Sequence, residues 1–364
     1  MPSRQPLSED ADQLLHVFDL PQLYSKPSAA ALLSALTLAT SQPPSWDVSD
    51  AEDSRPGSGT STPSSLHAQR RILRKKPVQR VDPEGLTAYL TRIIGSDLQW
   101  LPTEEQKEEV WETASLRLSE RSGRTGMGAM SRSLYIPVSE DDEVEIVLHE
   151  PALTSDNLGF KTWVSSYLLA KRLHTLELPA LSRKNNLAMR VLELGSGTGL
   201  VGMAAAAVFG ASVTLTDLPD IQGNLKRNVD ANSDVIMRSG GTAYSGVLDW
   251  RNPDVITLSE GLHELEKFPV ILAADSLYSD EHPQLLVQTI DTWLAKDANA
   301  RLAVELPLRD EYAAKLHQGF RETMSTAGLY ILEQDKETGY DDWDSGDGDS
   351  LQQVQCWWSV WGWK

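Results

Sequence analysis

Apolar residues follow two different rhythms along this chain. Before about residue 130 they recur at helical spacing. Leu86, Tyr89, Leu90, Ile93 and Ile94 share one face of a predicted helix, and Trp111, Ala114, Leu116 and Leu118 mark a second, both within residues 83–120. Two weaker helical patterns run over residues 10–24 and 28–39. Beyond residue 130 the rhythm shortens. Tyr135-Ile136-Pro137 and residues 144–150 flank the acidic turn Glu140-Asp141-Asp142 and predict a hairpin. An apolar helix is predicted over residues 164–173. Strands follow near 190–194, 213–217, 243–248, 269–274, 301–306, 329–334 and 353–361, with helices between most of them. Strands alternating with helices imply a mostly parallel α/β sheet covered on both faces. The last strand is rich in Trp and follows a long acidic loop over residues 341–349.

Between these blocks the pattern breaks down. Residues 41–65 are rich in Ser, Pro, Gly, Asp and Thr, too few of them apolar to build a core, and are expected to be a disordered linker. A basic cluster follows (Arg70, Arg71, Arg74, Lys75, Lys76, Arg80), readable as a localisation signal, a contact surface or a solvated tail. Residues 121–130 are glycine-rich and predict a loop. The expected organisation is a helical segment over 1–40, a linker with the basic cluster over 41–80, a helical region over 81–130 and an α/β domain over 131–364.

Composition narrows the function classes. With 364 residues, 40% of them apolar, the chain can bury one large core or two modest ones. It has no apolar run of transmembrane length, and its polar, soon acidic start resembles neither a secretory signal nor a transit peptide. A single cysteine, Cys356, excludes an intrachain disulfide and a Cys-rich zinc site. A cytoplasmic protein, monomeric and without a membrane partner, is expected. The net charge of −19 disfavours a nucleic-acid substrate, which calls for a basic footprint. Two readings of that charge stand: steering of a basic partner, and solubility.

The chemistry concentrates in residues 191–199, Val-Leu-Glu-Leu-Gly-Ser-Gly-Thr-Gly. An apolar strand runs into glycines at every second position, and an Ala-rich helix follows. Such a turn lets a ligand approach the backbone and aims helix N-terminal N–H groups at it. The run Val213-Thr214-Leu215-Thr216-Asp217 places an acid at the end of the next strand, where ribose hydroxyls are bound in folds of this type. A dehydrogenase's dinucleotide turn is the alternative. The Gly-x-Gly-x-Gly spacing and Glu193, two residues before the first glycine, point away from it.

The run Glu-Leu-Gly-Ser-Gly-Thr-Gly with distal Asp217 resembles motifs I and II of the seven-β-strand S-adenosylmethionine-dependent methyltransferases. Gly-Phe-Lys-Thr-Trp at 159–163, Leu-Asp-Trp at 248–250 and Asp-Ser-Leu-Tyr at 275–278 narrow the likeness to the family-16 protein methyltransferases. Within these it is most similar to the fungal elongation-factor lysine methyltransferases, including the glucose-inducible subgroup. The likeness covers roughly residues 130–364. It implies a seven-stranded Rossmann-like sheet with helices on both faces, preceded by a mainly helical N-terminal extension. It implies S-adenosylmethionine as cofactor, no metal, and a lysine of a cytosolic protein, such as a translation elongation factor, as acceptor. The final strand is expected to run antiparallel.

The same resemblance assigns the site. Gly195, Ser196 and Gly197 form the cofactor turn, with Gly199 supporting the helix start. Glu193 orders that turn or contacts the cofactor's amino end, and Asp217 holds the ribose. Trp250 packs beside the adenine with Asp249 at its amino edge. Trp163 closes over the methionine part, and Ala274 leaves room. Asp275 and Tyr278 are the catalytic pair: Asp275 draws in and orients the lysine amine, and Tyr278 walls the channel. Each has a structural alternative. Asp217 suits a strand-end cap, Asp275 and Ser276 suit a helix N-cap, and Trp250 suits the core. The stretch Asp341-Asp342-Trp343-Asp344 is a docking surface for a basic target or a solvated acidic loop. Three functions remain in view: lysine methylation of a translation factor, methylation of a small amine or other protein site, and a non-catalytic module that retains the fold.

Overall fold

The computed structural model describes residues 15–39, 81–82, 84–121, 128–152, 158–181, 189–259, 266–341 and 352–364. They fall into two compact units, divided after residue 128. The expected linker over 41–65 and the basic cluster over 70–80 lie outside the described residues.

The first unit is helical. α1 (Ala29–Leu38) begins where the Ser28 hydroxyl accepts from the Ala31 N–H. α2 (Leu86–Ile94) carries the apolar face expected of it, with Leu86, Tyr89, Leu90 and Ile93 buried. α3 (Glu104–Ser119) is capped by Thr103 and carries Glu104 and Glu105 in its first turn, where the helix dipole favours acids. Leu32, Leu36, Leu90, Ile93, Val110 and Ala114 meet in one core. One expectation fails here. The helix predicted over 10–24 is, in its described part, two short 3-10 turns at Val17–Asp19 and Leu23–Ser25. Pro21 between them has no N–H for a continuing ladder. Leu116 is 41% exposed. It sits two residues beyond buried Ala114, about 200° around the helix.

The second unit opens with the predicted hairpin, β1 (Met130–Pro137) and β2 (Glu143–Glu150), paired antiparallel as a separate two-stranded sheet. α4 (Val164–Arg172) follows, its last predicted residue, Leu173, passing into a 3-10 turn. The main sheet is built from β3 (Arg190–Leu194), β4 (Ser212–Asp217), β5 (Thr242–Val247), β6 (Thr257–Leu258), β7 (Val270–Ala274), β8 (Arg301–Pro307), β9 (Leu329–Asp341) and β10 (Gln352–Trp363). Helices α5 (Leu200–Phe209), α6 (Pro219–Arg238), α7 (His282–Trp293) and α8 (Glu311–Thr326) connect them.

The strand order is β6-β5-β4-β3-β7-β8-β10-β9. β3, β4, β5, β7 and β8 run parallel, and β10 inserts antiparallel between β8 and β9. The seven expected strands are all present. The eighth, β6, is a two-residue edge strand too short to leave a periodic signal. Alternation divides the strands between two cores: Val191, Val270, Leu272 and Val360 pack on one face, Leu192, Ile271, Val304 and Trp361 on the other. The chain leaves β3 toward β4 on one side and later returns to β7 on the other. The carboxyl ends of β3 and β7 therefore bound the topological switch point, where open α/β sheets bind ligands.

β9 extends seven residues beyond its predicted end at 334 and reaches Asp341. The polar run Glu333-Gln334-Asp335-Lys336-Glu337 hides it from a hydrophobicity reading. This is the outer edge of the sheet, where charged side chains guard an unpaired ladder. Asp341 therefore belongs to a strand and is 1% exposed, so it is no part of an acidic docking loop. Residues 342–349 of that expected loop lie outside the described residues.

Candidate active site

The glycine turn links β3 to α5 at the switch point. Gly195, Gly197 and Gly199 all take positive φ, at 69°, 53° and 88°. A Cβ at Gly195 would stand 3.2 Å from the Trp250 ring, and one at Gly199 would stand 2.7 Å from Leu225 Cδ1. The turn is therefore closed to side chains both by backbone conformation and by space. Ser196 N–H donates to the Thr216 carbonyl at 3.0 Å, holding the turn against the end of β4. Gly202, inside α5, escaped the sequence reading. Its added Cβ would meet Glu193 Oε2 and Leu215 Cγ, each at 2.5 Å. A glycine interrupting an otherwise Ala-rich helical run was the available signal.

Glu193 is buried on the α5 side of β3 and accepts from the Gly202 N–H at 3.0 Å. Burial, the dominant cause, lifts its pKa to about 8, so the acid is largely neutral at pH 7. It ties α5 to β3. Asp217 ends β4. Its Oδ2 accepts from the Gly197 N–H at 2.7 Å and its Oδ1 from the Leu218 N–H at 2.7 Å. Burial raises its pKa, and those two backbone donors pull it back. Each carboxylate oxygen keeps a further lone pair for a hydroxyl.

Trp250 follows β5 and packs on the core below Gly195, with its ring edge-on to His282 at 5.8 Å between centroids. His282 in turn meets Tyr278 edge-on at 4.1 Å and accepts from the Tyr278 N–H at 3.4 Å. Burial lowers the pKa of His282. The row Trp250–His282–Tyr278 thus runs from the glycine turn outward, and Tyr278 at its end is 64% exposed. His282 was not foreseen. Asp249 spends one oxygen on the Arg251 N–H at 2.9 Å. Ala274 is buried at the end of β7, opposite Glu305.

Asp275 sits directly after β7 with φ of 52°, in the left-handed region that few non-glycine residues adopt. Neither Asp275 nor Ser276 caps a helix: α7 begins at His282 and its N-cap is Glu281. Asp275 instead joins a network of charges. Arg309 grips it at two points, Nη1 to Oδ1 at 3.1 Å and Nη2 to Oδ2 at 2.9 Å, and Ser165 of α4 donates to Oδ2 at 2.8 Å. Arg309 also reaches Asp341 Oδ2 at 3.3 Å, and the other oxygen of Asp341 takes Lys161 Nζ at 2.6 Å. Both cations lie over the Trp163 ring, Lys161 Nζ at 4.5 Å and Arg309 Cζ at 4.7 Å from its centroid. Trp163, just ahead of α4, is thereby a keystone of this network. Among the described residues two cations meet two carboxylates here, and Lys161 and Asp341, paired at 2.6 Å, are fully buried. The sequence places Lys161 only in the 159–163 motif and Asp341 only in an acidic stretch, and gives no signal for Arg309: the three come from distant stretches of chain, and single charged residues carry no periodic signal.

Relatives bear on the chemistry of this site. A model of the family described as lysine methyltransferase matches residues 140–315. The chain is 36% identical to protein-lysine N-methyltransferase rrg1 of Schizosaccharomyces pombe over 75% of its own length and 84% of that protein. The chain belongs to the lysine methyltransferase family. It is also 35% identical to protein-lysine N-methyltransferase EFM2 of Saccharomyces cerevisiae, over 76% of this chain and 67% of the relative. Among solved structures, a SAM-dependent methyltransferase from Methanosarcina mazei aligns with 12% identity and a TM-score of 0.36, over 51% of this chain and 98% of that one. The activity is that of a protein-lysine N-methyltransferase, and the cofactor of this class is S-adenosylmethionine. The residues at the turn fit that group: glycines that admit backbone contact, an acid at the end of β4, and an indole beside the turn.

Proposed function

We propose that this methyltransferase modifies a lysine side chain of a translation elongation factor in the cytoplasm, binding S-adenosylmethionine at residues 195–199. The observation that carries the reading is the convergence, at the carboxyl ends of β3, β4 and β7, of the glycine turn, Asp217 and Asp275. A protein lysine as acceptor is supported by the likeness to the two fungal enzymes, and an elongation factor by a relative in Xenopus tropicalis named EEF1A lysine methyltransferase 3, 38% identical over 28% of this chain and 40% of that protein. Among the described residues no helix is long and apolar enough to cross a membrane. The acidic balance favours a basic protein partner over nucleic acid.

Bound S-adenosylmethionine supplies a methyl group already activated on a sulfonium, so the protein has to hold, orient and dehydrate the reactants. Asp217 would receive the ribose hydroxyls on its free lone pairs, while its bonds to Gly197 and Leu218 hold the turn in shape. Trp250 would flank the base, and Asp249 would meet its amino edge. Ser196 and Glu193 order the turn, and Ala274 leaves space at the end of β7. Asp275 orients the incoming amine. Because Arg309 already neutralises its carboxylate, it serves as an acceptor of fixed direction, and the ammonium proton leaves to water before the nitrogen attacks. Tyr278 walls the entrance.

The test is transfer of a labelled methyl group into lysate from cells that lack the enzyme, followed by mass spectrometry of the labelled band. An elongation-factor lysine peptide carrying the label is the expected result. Label in a small amine or another protein, or cofactor binding with no transfer, overturns the assignment.

A further inference from the structure

Among the described residues β2 pairs as a strand with β1 along one edge, and the backbone groups on its other edge need partners too. They find them in the side chains of one helix. On α6, Asn224, Asn228 and Asn232 follow one another at intervals of four and are all buried. Asn232 accepts from the Val147 N–H at 2.9 Å and donates to the Val147 carbonyl at 2.8 Å. Asn228 accepts from the His149 N–H at 2.8 Å and donates to the His149 carbonyl at 3.1 Å. Each carboxamide stands in for the backbone of a missing neighbouring strand. The spacings permit it: four helical residues rise about 6 Å and two strand residues about 6.7 Å. Asn224 completes the ladder through the His149 ring and carbonyl, at 2.9 and 3.0 Å.

Asn228 differs from its neighbours in one respect. Its amide also donates to the carbonyl of Thr198, inside the glycine turn, at 2.9 Å. Thr198 is held a second time, because its hydroxyl bonds that of Thr162 at 2.8 Å, and the Thr162 N–H donates to Glu150 at the end of β2 at 3.2 Å. Two independent ties therefore join the turn to consecutive hairpin residues, His149 and Glu150. The turn is built of left-handed glycines, whose conformational freedom is large unless something removes it.

We infer that the hairpin β1–β2 and the glycine turn form one coupled unit for cofactor binding, with Asn228 as its positioning residue. The inference rests on the reading of residues 195–199 as the cofactor turn. It gives the hairpin, which lies outside the sheet, a role in holding the methyl donor. Coupling of this kind is reciprocal: cofactor bound at the turn should steady β2 as much as β2 steadies the turn.

Asn232 provides a matched control. It too makes three side-chain hydrogen bonds, two to β2 and one elsewhere, but the third goes to the Asn228 carbonyl and not to the turn. Asn228→Ala and Asn232→Ala in the full chain should lower the melting temperature similarly. S-adenosylmethionine affinity by calorimetry should fall about tenfold in Asn228→Ala, which loses a buried bond to the turn, and stay within about twofold in Asn232→Ala. Hydrogen exchange should show cofactor protecting β2 in wild type and Asn232→Ala, with that protection lost in Asn228→Ala. Equal weakening by both variants, or wild-type affinity in Asn228→Ala, overturns the inference. Should Asn228→Ala fail to fold, Thr162→Val cuts the second tie at nearly constant volume, and wild-type affinity there overturns it equally. Asp217→Ala, run alongside, separates the two failures, since unchanged affinity in that variant removes the cofactor-turn reading itself.

Discussion

The Asp275 carboxylate and the Arg309 guanidinium form a two-point pair, at 2.9 and 3.1 Å, across the carboxyl ends of β7 and β8. Such a fork fixes both position and plane of the carboxylate, which a lysine in place of Arg309 could not do. It also holds Asp275 against its unfavourable backbone conformation, with Ser165 as a third restraint. An acid so neutralised is poorly suited to attracting a distant cation and well suited to orienting a nearby amine.

Arg309→Lys should therefore slow methyl transfer by at least about tenfold, or ~1.4 kcal/mol of barrier, with cofactor affinity within a few-fold of wild type. Asp275→Asn should behave alike, and Tyr278→Phe should be milder because the exposed ring still walls the entrance. Single-turnover transfer to the identified target, beside cofactor titration, is the measurement. Full-rate transfer by Asp275→Asn would move acceptor orientation to another residue.

Asp217→Ala should weaken S-adenosylmethionine binding at least tenfold, since hydrogen bonds to a charged acceptor contribute about 1.5–3 kcal/mol each. The loss has two parts: the ribose contacts and the release of the Gly197 and Leu218 N–H groups. Calorimetry on the folded variant decides, and unchanged affinity would return Asp217 to the role of a strand-end cap.

Glu193 sets a pH dependence of stability. Its pKa rises on folding from 4.5 to about 8. Between those values the folded state holds a proton that the unfolded state has lost, so stability falls as pH rises across that window and levels off above it. Glu193→Gln keeps an acceptor for the Gly202 N–H and removes the titration. Urea unfolding at pH 5 and pH 8 should show the variant gaining on wild type at the higher pH. A parallel pH profile for the two proteins would contradict the assignment.

Gly202→Ala opposes two effects. Alanine gains about 1 kcal/mol over glycine in a helix interior. Its Cβ would overlap Glu193 Oε2 and Leu215 Cγ, and overpacking a rigid core costs typically 1–3 kcal/mol. Neither neighbour is the free end of a mobile chain, so the overlap should prevail and the melting temperature should drop. Gly223→Ala in α6, where a Cβ meets nothing within 4 Å, is the control expected to hold or raise it.

Much of the architecture was legible because it rests on local physics. The change from helical to strand periodicity near residue 130 marks the α/β unit. The turn at 195–199 is readable because only glycine suits three alternating left-handed positions, and Asp217 because an acid ends the next apolar run. The hairpin shows itself through alternation and an acidic turn.

What stayed hidden depends on where distant segments meet. A polar edge strand such as the second half of β9 has no hydrophobic period, so Asp341 reads as loop until β10 pairs beside it. Arg309, Lys161 and Asp341 look like solvated charges one at a time. They become a site because sheet order brings the ends of β7, β8 and β9 to one edge, where burial forces each charge to find its opposite. The asparagines of α6 read as polar helix positions until β2 supplies the backbone groups they satisfy. The sequence by itself determined the family of fold and the glycine turn, because propensity, glycine conformation and periodicity act within a few residues of chain. Only the tertiary structure decided which charges are paired around Asp275 and which side chains hold the turn, because those are set by desolvation and hydrogen-bond satisfaction between parts of the chain far apart in sequence.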